Sequence, residues 1–194
     1  MQKLLFLLSA LMMISCNTQD QKAAQAAAPA IPSGTSANSA TFNQSFKPAL
    51  YAYFNLKDQF IAENIASIDS AAARMILSVD QIRIDSLRGD SSVALIARSF
   101  TGGITAELKG LMGEKELEAK RTSFQMIGEQ FYDLIRSVQY DEEVIYHQFC
   151  PMAFNNEGAF WLSNSSEIRN PYLPKTMPGC GEVRDSIDLR IKIK

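Results

Sequence analysis

Between Phe46 and Val138 four consecutive stretches carry apolar residues at spacings of three and four, each stretch on one side only. That spacing is the period of a helix lying half-buried. The first stripe holds Leu50, Tyr53, Phe54 and Ile61. The second spans about Ser67 to Leu87, with Ile65 just before it, and holds Ile68, Ala72, Met75, Ile76, Val79 and Ile82. Val93, Ile96, Phe100, Ile104, Leu108 and Leu111 make the third, and Leu117, Phe124, Ile127, Phe131, Leu134 and Val138 the fourth. Four one-sided helices with short connections bury their stripes most economically as an up-and-down bundle, so the predicted class is mainly α. Ser45 is the expected N-cap of the first helix, with Pro48 in its first turn, where a missing N–H costs nothing. Gly89-Asp90-Ser91 breaks and recaps the chain, and Gly113 ends the third helix. Gly102-Gly103 inside that helix implies a kink or a close helix approach. The fourth helix begins at about Glu114, where acidic residues suit the positive end of the dipole. Met75, Met112 and Met126 lie near the stripes and read as core filler.

After Tyr140-Asp141 the pattern changes. Val144 to Phe149 reads as a strand, Asn155-Asn156-Glu157-Gly158 as a turn, and Ala159 to Leu162 as a second strand in a hairpin-like unit. Asn170-Pro171 through Gly179-Cys180-Gly181 is dense in Pro and Gly and is expected to be an ordered loop. Ile187, Leu189, Ile191 and Ile193 alternate with polar residues, as in a last half-buried strand. Residues 42–194 thus make one domain, a bundle over 42–139 and a small cysteine-containing β-hairpin and loop lobe over 140–194.

The beginning of the chain has another character. Met1-Gln2-Lys3 is followed by an apolar run from Leu4 to Ile14. About eleven residues suit a signal segment, whereas a membrane-spanning helix needs roughly twenty. The run ends in Met13-Ile14-Ser15-Cys16, which resembles the lipobox of bacterial lipoproteins. The resemblance implies a signal peptide over 1–15, cleavage before Cys16, and a lipid on that thiol. It places the domain in the periplasm on a membrane anchor. Asn17 rather than Asp after the cysteine favours the outer membrane over the inner by the enteric sorting rule. Residues 16–41 read as the lipidated cysteine and a flexible tether, because Asn17 to Ala40 is rich in Ala, Ser, Gln, Thr and Pro and has no apolar period. The net charge of −2 names no partner, and no basic stripe points to nucleic acid.

Chemistry concentrates in the lobe. His147-Gln148-Phe149-Cys150-Pro151-Met152 and Met177-Pro178-Gly179-Cys180-Gly181 hold the single His, both remaining Cys, and two of the eight Met. Thiolate, thioether and imidazole are the ligand types that suit Cu(I), so Cys150, Cys180, Met152, Met177 and His147 form the candidate metal set. Pro151 stiffens the turn after one thiol, while Gly179 and Gly181 let the chain bend the other towards it. A second reading stands beside this one. In an oxidising envelope two leftover cysteines commonly pair. A Cys150–Cys180 disulfide closes a loop of about thirty residues, worth roughly 3–4 kcal/mol in the chain-entropy model. There Met152 and Met177 are packing residues and His147 an ordinary strand residue. The two readings coexist if the bridge is reducible. With one His and no glycine-rich phosphate loop, nothing points to an enzyme. Asp141-Glu142-Glu143 reads as a solvated charge run and Arg169 as a binder of carbonyls or a carboxylate. Trp161, Phe160, Tyr172 and Phe154 are expected to wedge the loop against the bundle.

The lobe carries Cys150-Pro151-Met152-Ala153-Phe154, Gly158-Ala159-Phe160-Trp161-Leu162, Ile168-Arg169-Asn170-Pro171-Tyr172, Met177 and Cys180-Gly181-Glu182-Val183. With these it resembles an uncharacterised domain family of Gram-negative envelope lipoproteins, a domain also appended to periplasmic adaptor subunits of copper and silver efflux systems. The likeness extends over about Phe46 to Ile187. Cys150-Pro151-Met152 is also similar to the opening of a small heavy-metal-binding domain built on Cys-Pro-Met-His-Pro. Here Ala153 replaces the His, and Cys180-Gly181 supplies the only later thiol, which leaves His147 and Met177 as substitutes. The resemblance suggests an accessory role in heavy-metal handling or efflux, with an efflux adaptor or other envelope protein as partner, and the soft ligand types suggest a Cu(I)-like ion. The alternative is a metal-free, disulfide-stapled module docking on an envelope partner.

Overall fold

The computed structural model describes residues 38–88 and 90–190. The expected signal peptide, Cys16, the tether up to residue 37, Gly89, Ile191 and Ile193 lie outside the described residues. Four long helices, α1 (Ala40–Ala62), α2 (Ile65–Asp80), α3 (Ser91–Gly113) and α4 (Leu117–Val138), precede a lobe of β1 (Ile145–Cys150), the single turn α5 (Ala153–Asn156), β2 (Ala159–Ser163) and β3 (Glu182–Ile187). The mainly α bundle with a small C-terminal sheet is as the stripes require.

The helix ends differ from expectation in instructive ways. Ser39, not Ser45, caps α1 by accepting from the Phe42 N–H, so the helix takes in the last residues of the expected tether. The added turn buries Phe42 and Phe46 completely. Ser45 instead lies inside the helix, where its hydroxyl donates to the Phe42 carbonyl and accepts from the Arg83 N–H, clamping the α2–α3 connection. Pro48 lies within α1. α2 stops at Asp80, and a 3₁₀ turn over Ile84–Ser86 follows. Ile82 and Ile84 are both buried, and a spacing of two cannot continue one helical stripe. Asp90 caps α3 by accepting from the Ser92 N–H, and Gly113 ends it as expected. α4 starts at Leu117, later than expected, with Glu118 in its first turn.

Consecutive helices pack against each other, and α1 meets α4 through aromatic rings. The Tyr53 ring lies between Phe124 (5.4 Å) and Phe131 (5.6 Å), nearly parallel to both. Phe46 stacks on Phe131, and Phe60 packs at a tilt on Phe124. The glycine pair does not break α3: Gly102 faces open space, and a Cβ at Gly103 would meet only the flexible end of Gln130 of α4, at 2.1 Å. Lys120 is fully buried, and its ammonium is held by Asp69 of α2 (2.6 Å) and the Leu111 carbonyl (2.8 Å). A buried charge is tolerated only when paired in this way.

The sheet is antiparallel with order β2-β1-β3, so β1 is central. β3 comes earlier in the chain than the alternation suggested, ending where the expected strand began. Leu189 is buried beyond it. The outer edge of β2 is closed by two tyrosines: the Leu162 N–H donates to Tyr53 Oη, and Tyr172 Oη–H donates to the Phe160 carbonyl. An otherwise open strand edge is thus satisfied from α1 and from the loop.

Candidate functional site

Cys150 is the last residue of β1, opposite Ala159 of β2. Side chains alternate along a strand, so Tyr146, Gln148 and Cys150 share one face of β1, and Ile145, His147 and Phe149 the other. The long loop between β2 and β3 brings Cys180 back to the end of β1. Two buried amides hold that loop in place. Gln148 Nε2 donates to the carbonyls of Ser165 and Glu167. Asn170, 1% exposed, donates from Nδ2 to the carbonyls of Met177 and Cys180 (both 3.2 Å), while its Oδ1 accepts from the N–H groups of Tyr172 and Leu173. Its own N–H donates to the Pro178 carbonyl. One side chain therefore fastens both ends of the 170–180 loop and sets the position of Cys180. Outside, Lys175 and Arg121 both pair with Glu63, and Arg169 reaches Asp58 at 3.5 Å. That carboxylate is the partner expected for Arg169.

Glycine is required at two points beside the thiols. Gly181 has φ +146°, and a Cβ there would meet the Trp161 ring at 2.8 Å and the Phe149 carbonyl at 2.9 Å. Gly158 has φ +86°, and its Cβ would enter the Phe149 ring at 2.3 Å. Just before Gly158, Phe154, Asn155 and Asn156 all take left-handed backbone angles, turning the chain sharply after Pro151. Such angles cost energy for non-glycine residues and persist only where the surroundings enforce them.

Both cysteines are free thiols, Cys150 buried and Cys180 partly so. The Cys150 and Cys180 side chains are neighbours, and the Met152 backbone N–H lies beside the Cys180 thiol. Burial, and then the neighbouring Cys150, push the Cys180 thiol above the ordinary thiol range, while the Met152 N–H pulls the other way. The Cys180 N–H donates to the Met177 carbonyl at 3.1 Å. Cys180 is thus held between the backbones of the two methionines. Their side chains are not core filler: Met152 is 43% and Met177 40% exposed. Both line one cleft of about 750 Å³, with Glu118 and Thr122 of α4 on its far wall and Phe154 to Asn156 on the near one.

His147 does not join them. Three residues from Cys150 on a strand, it faces the opposite way, its ring stacked between Tyr132 of α4 (4.0 Å) and Phe160 (4.4 Å). Its Nε2 is buried with no hydrogen-bond partner, and burial pushes its pKa down to about 4. Among the described residues no group of three or more His, Cys, Asp and Glu side chains is placed to hold a metal ion, so the soft donors here are two thiols and two thioethers. Asp141-Glu142-Glu143 is only partly solvated: Asn43 Nδ2 donates to Asp141 (2.7 Å) and Lys47 pairs with Glu143 (3.3 Å), tying the start of the lobe to α1. Met75 is core, Met112 half-buried and Met126 exposed. The expected aromatic wedge is present, with Tyr172 against Phe124, Phe154 and Trp161. Asn170 and Gln148 are the positioning residues that pattern reading passed over. The Asn170-Pro171 turn signal was the one mark of the former, and nothing local marked the latter.

Residues 49–143 match a family model described as a protein of unknown function, DUF3347. The matched span covers most of the bundle and ends before β1. No curated protein and no solved structure matches the chain. No helix among the described residues is long and apolar enough to cross a membrane.

Proposed function

We propose that this chain, whose residues 49–143 belong to the DUF3347 family of unknown function, is a lipid-anchored envelope protein that binds a soft, Cu(I)-like ion between Cys150 and Cys180. Its role on this reading is accessory to heavy-metal handling or efflux, without catalysis. The observation that carries the reading is a pair of neighbouring free thiols, one buried and one partly so, flanked in sequence by two exposed methionines that line a cleft. Thiolate and thioether select Cu(I) among common biological metals, and Cu(I) is content with as few as two sulfur ligands. Each thiol must lose its proton to bind, so uptake releases protons and strengthens with pH.

The test is competition for Cu(I) against a chromophoric chelator, run on reduced and on oxidised protein. One equivalent is expected to bind the reduced form and none the oxidised form. Cys150→Ser and Cys180→Ser are expected to weaken binding on the order of 100-fold. A reduced wild type that takes no stoichiometric copper would overturn the metal reading. The second reading, a disulfide-stapled module that docks on an envelope partner, would then stand. Leu77 of α2 and Leu95 and Ile96 of α3, between 45% and 68% exposed, favour it as apolar surface the fold does not bury.

A further inference from the structure

We infer that Met152 and Met177 are receiving ligands, taking the ion from its donor at the cleft and passing it inward to Cys180 and then Cys150. The inference rests on the metal reading above and concerns the route to that site. Exposure falls in one direction along the four residues. The two thioethers are 43% and 40% exposed, Cys180 is partly buried, and Cys150 is 0% exposed. Their connections follow the same order. The Met152 backbone N–H lies beside the Cys180 thiol, the Met177 backbone carbonyl accepts the Cys180 N–H, and Cys180 in turn neighbours Cys150. An ion arriving from solvent therefore reaches the thioethers first and passes inward by way of Cys180.

The ligand chemistry fits that order. A thioether carries no proton, so it can coordinate Cu(I) at once, at any pH. A thiol must first lose its proton. Thioether binding is weak, which suits a ligand that must let go. The cleft of about 750 Å³ leaves space for a donor's own ligand to remain on the ion during the exchange. In the receiving step the ion leaves one donor ligand and gains a thioether sulfur, with copper staying Cu(I). In the inward step the Cu–thioether bond and the remaining Cu–donor bond break, the donor ligand leaves to solvent, and two S–Cu bonds form. Two S–H bonds break, and two protons go to solvent. No electron is transferred and no further reactant is needed.

The probe is the Cu(I) complex of bathocuproine disulfonate, whose colour is lost as the ion leaves it. Reduced protein is mixed with the complex in a stopped-flow instrument, and both the rate and the end point are read. Met152 and Met177 are surface residues, so leucine is tolerated at both. In the double variant Met152→Leu, Met177→Leu the rate is expected to fall about tenfold or more. Its end point is expected to stay within about threefold of wild type, whereas Cys150→Ser shifts the end point by on the order of 100-fold. A double variant that loads as fast as wild type overturns the inference and leaves the thiol site intact. An end point that falls as far as in the cysteine variants overturns it too, by making the methionines resident ligands. A wild type that draws no copper from the probe overturns the metal reading itself, and the inference with it.

Discussion

A buried imidazole has a definite sign of effect on stability. The pKa of His147 lies near 4 in the folded protein because burial penalises its charged form, against 6.5 for the free side chain. Above pH 6.5 the group is neutral in both states and contributes nothing. Between 6.5 and 4 the unfolded chain takes up a proton that the folded chain refuses, so stability falls as pH falls through that window. About 2–3 kcal/mol is expected to be lost by pH 4. Urea unfolding at pH 7.5, 6 and 5 should show the decline in wild type and a shallower one in His147→Phe; identical slopes would mean the imidazole is not shielded. The same residue shows what was legible in sequence. The soft-ligand set put His147 beside Cys150 by proximity along the chain. Strand parity, three residues apart and therefore opposite faces, separates them, and that parity needed only the strand assignment. Gly181 is the converse case, read as a bend and found to be an obligate one. Its φ and the Trp161 ring above it both exclude a side chain, so Gly181→Ala is expected to cost about 1–3 kcal/mol. Equal melting temperatures of variant and wild type would contradict that.

At the level of elements, stripes located the helices and failed at their ends. α4 has most of its stripe as read: Phe124, Ile127, Phe131, Leu134 and Val138 are buried, and only Leu117 at its first turn is partly so. α3 does not. Its first turns carry Ile96 at 45% exposure, and Ala97 is the buried residue there. A small residue in the contact let the helices approach, and larger ones beside it misled the pattern. Phe100, expected in the core, is only partly buried. Two substitutions of the same kind should therefore differ. Phe131→Ala removes a ring stacked on Phe46 and Tyr53 and is expected to cost about 3–5 kcal/mol. Phe100→Ala should cost well under half of that, as its ring is already wet. Denaturant midpoints of the two variants decide it, and equal losses would mean the α3 face is wrongly assigned. The α1 start was obscured by Pro48, which mimics a first-turn residue, while the Ser39 cap lay inside a segment whose composition reads as tether. The lobe's loop was legible as ordered from its Pro and Gly. Its geometry was not, because it hangs on side-chain amides, Asn170 and Gln148, whose bonds run to backbone groups brought near only by folding.

For the whole molecule the question is whether lobe and bundle are one cooperative unit. Three kinds of link join them. Tyr53 of α1 accepts the Leu162 N–H of β2, inside the core. Tyr172 packs on Phe124 of α4 while donating to β2. Glu63 at the end of α1 pairs with Lys175 of the loop and Arg121 of α4 together. The first two are buried, and buried links fix relative position where surface pairs contribute little. A lobe whose edge strand is completed by the bundle cannot open without exposing unpaired backbone groups. The only Trp, Trp161, lies in the lobe, whereas far-UV circular dichroism is dominated by the bundle's helices, so the two signals report the two parts separately. Their urea transitions are expected to coincide, as for a two-state protein. Tyr53→Phe removes one of the joining bonds and leaves the ring stack in place. It is expected to cost about 1–2 kcal/mol and to move both transitions together. If fluorescence instead changed at lower urea than ellipticity, in wild type or in this variant, the lobe would be a separately melting unit, and the thiol pair could open while the bundle stayed folded.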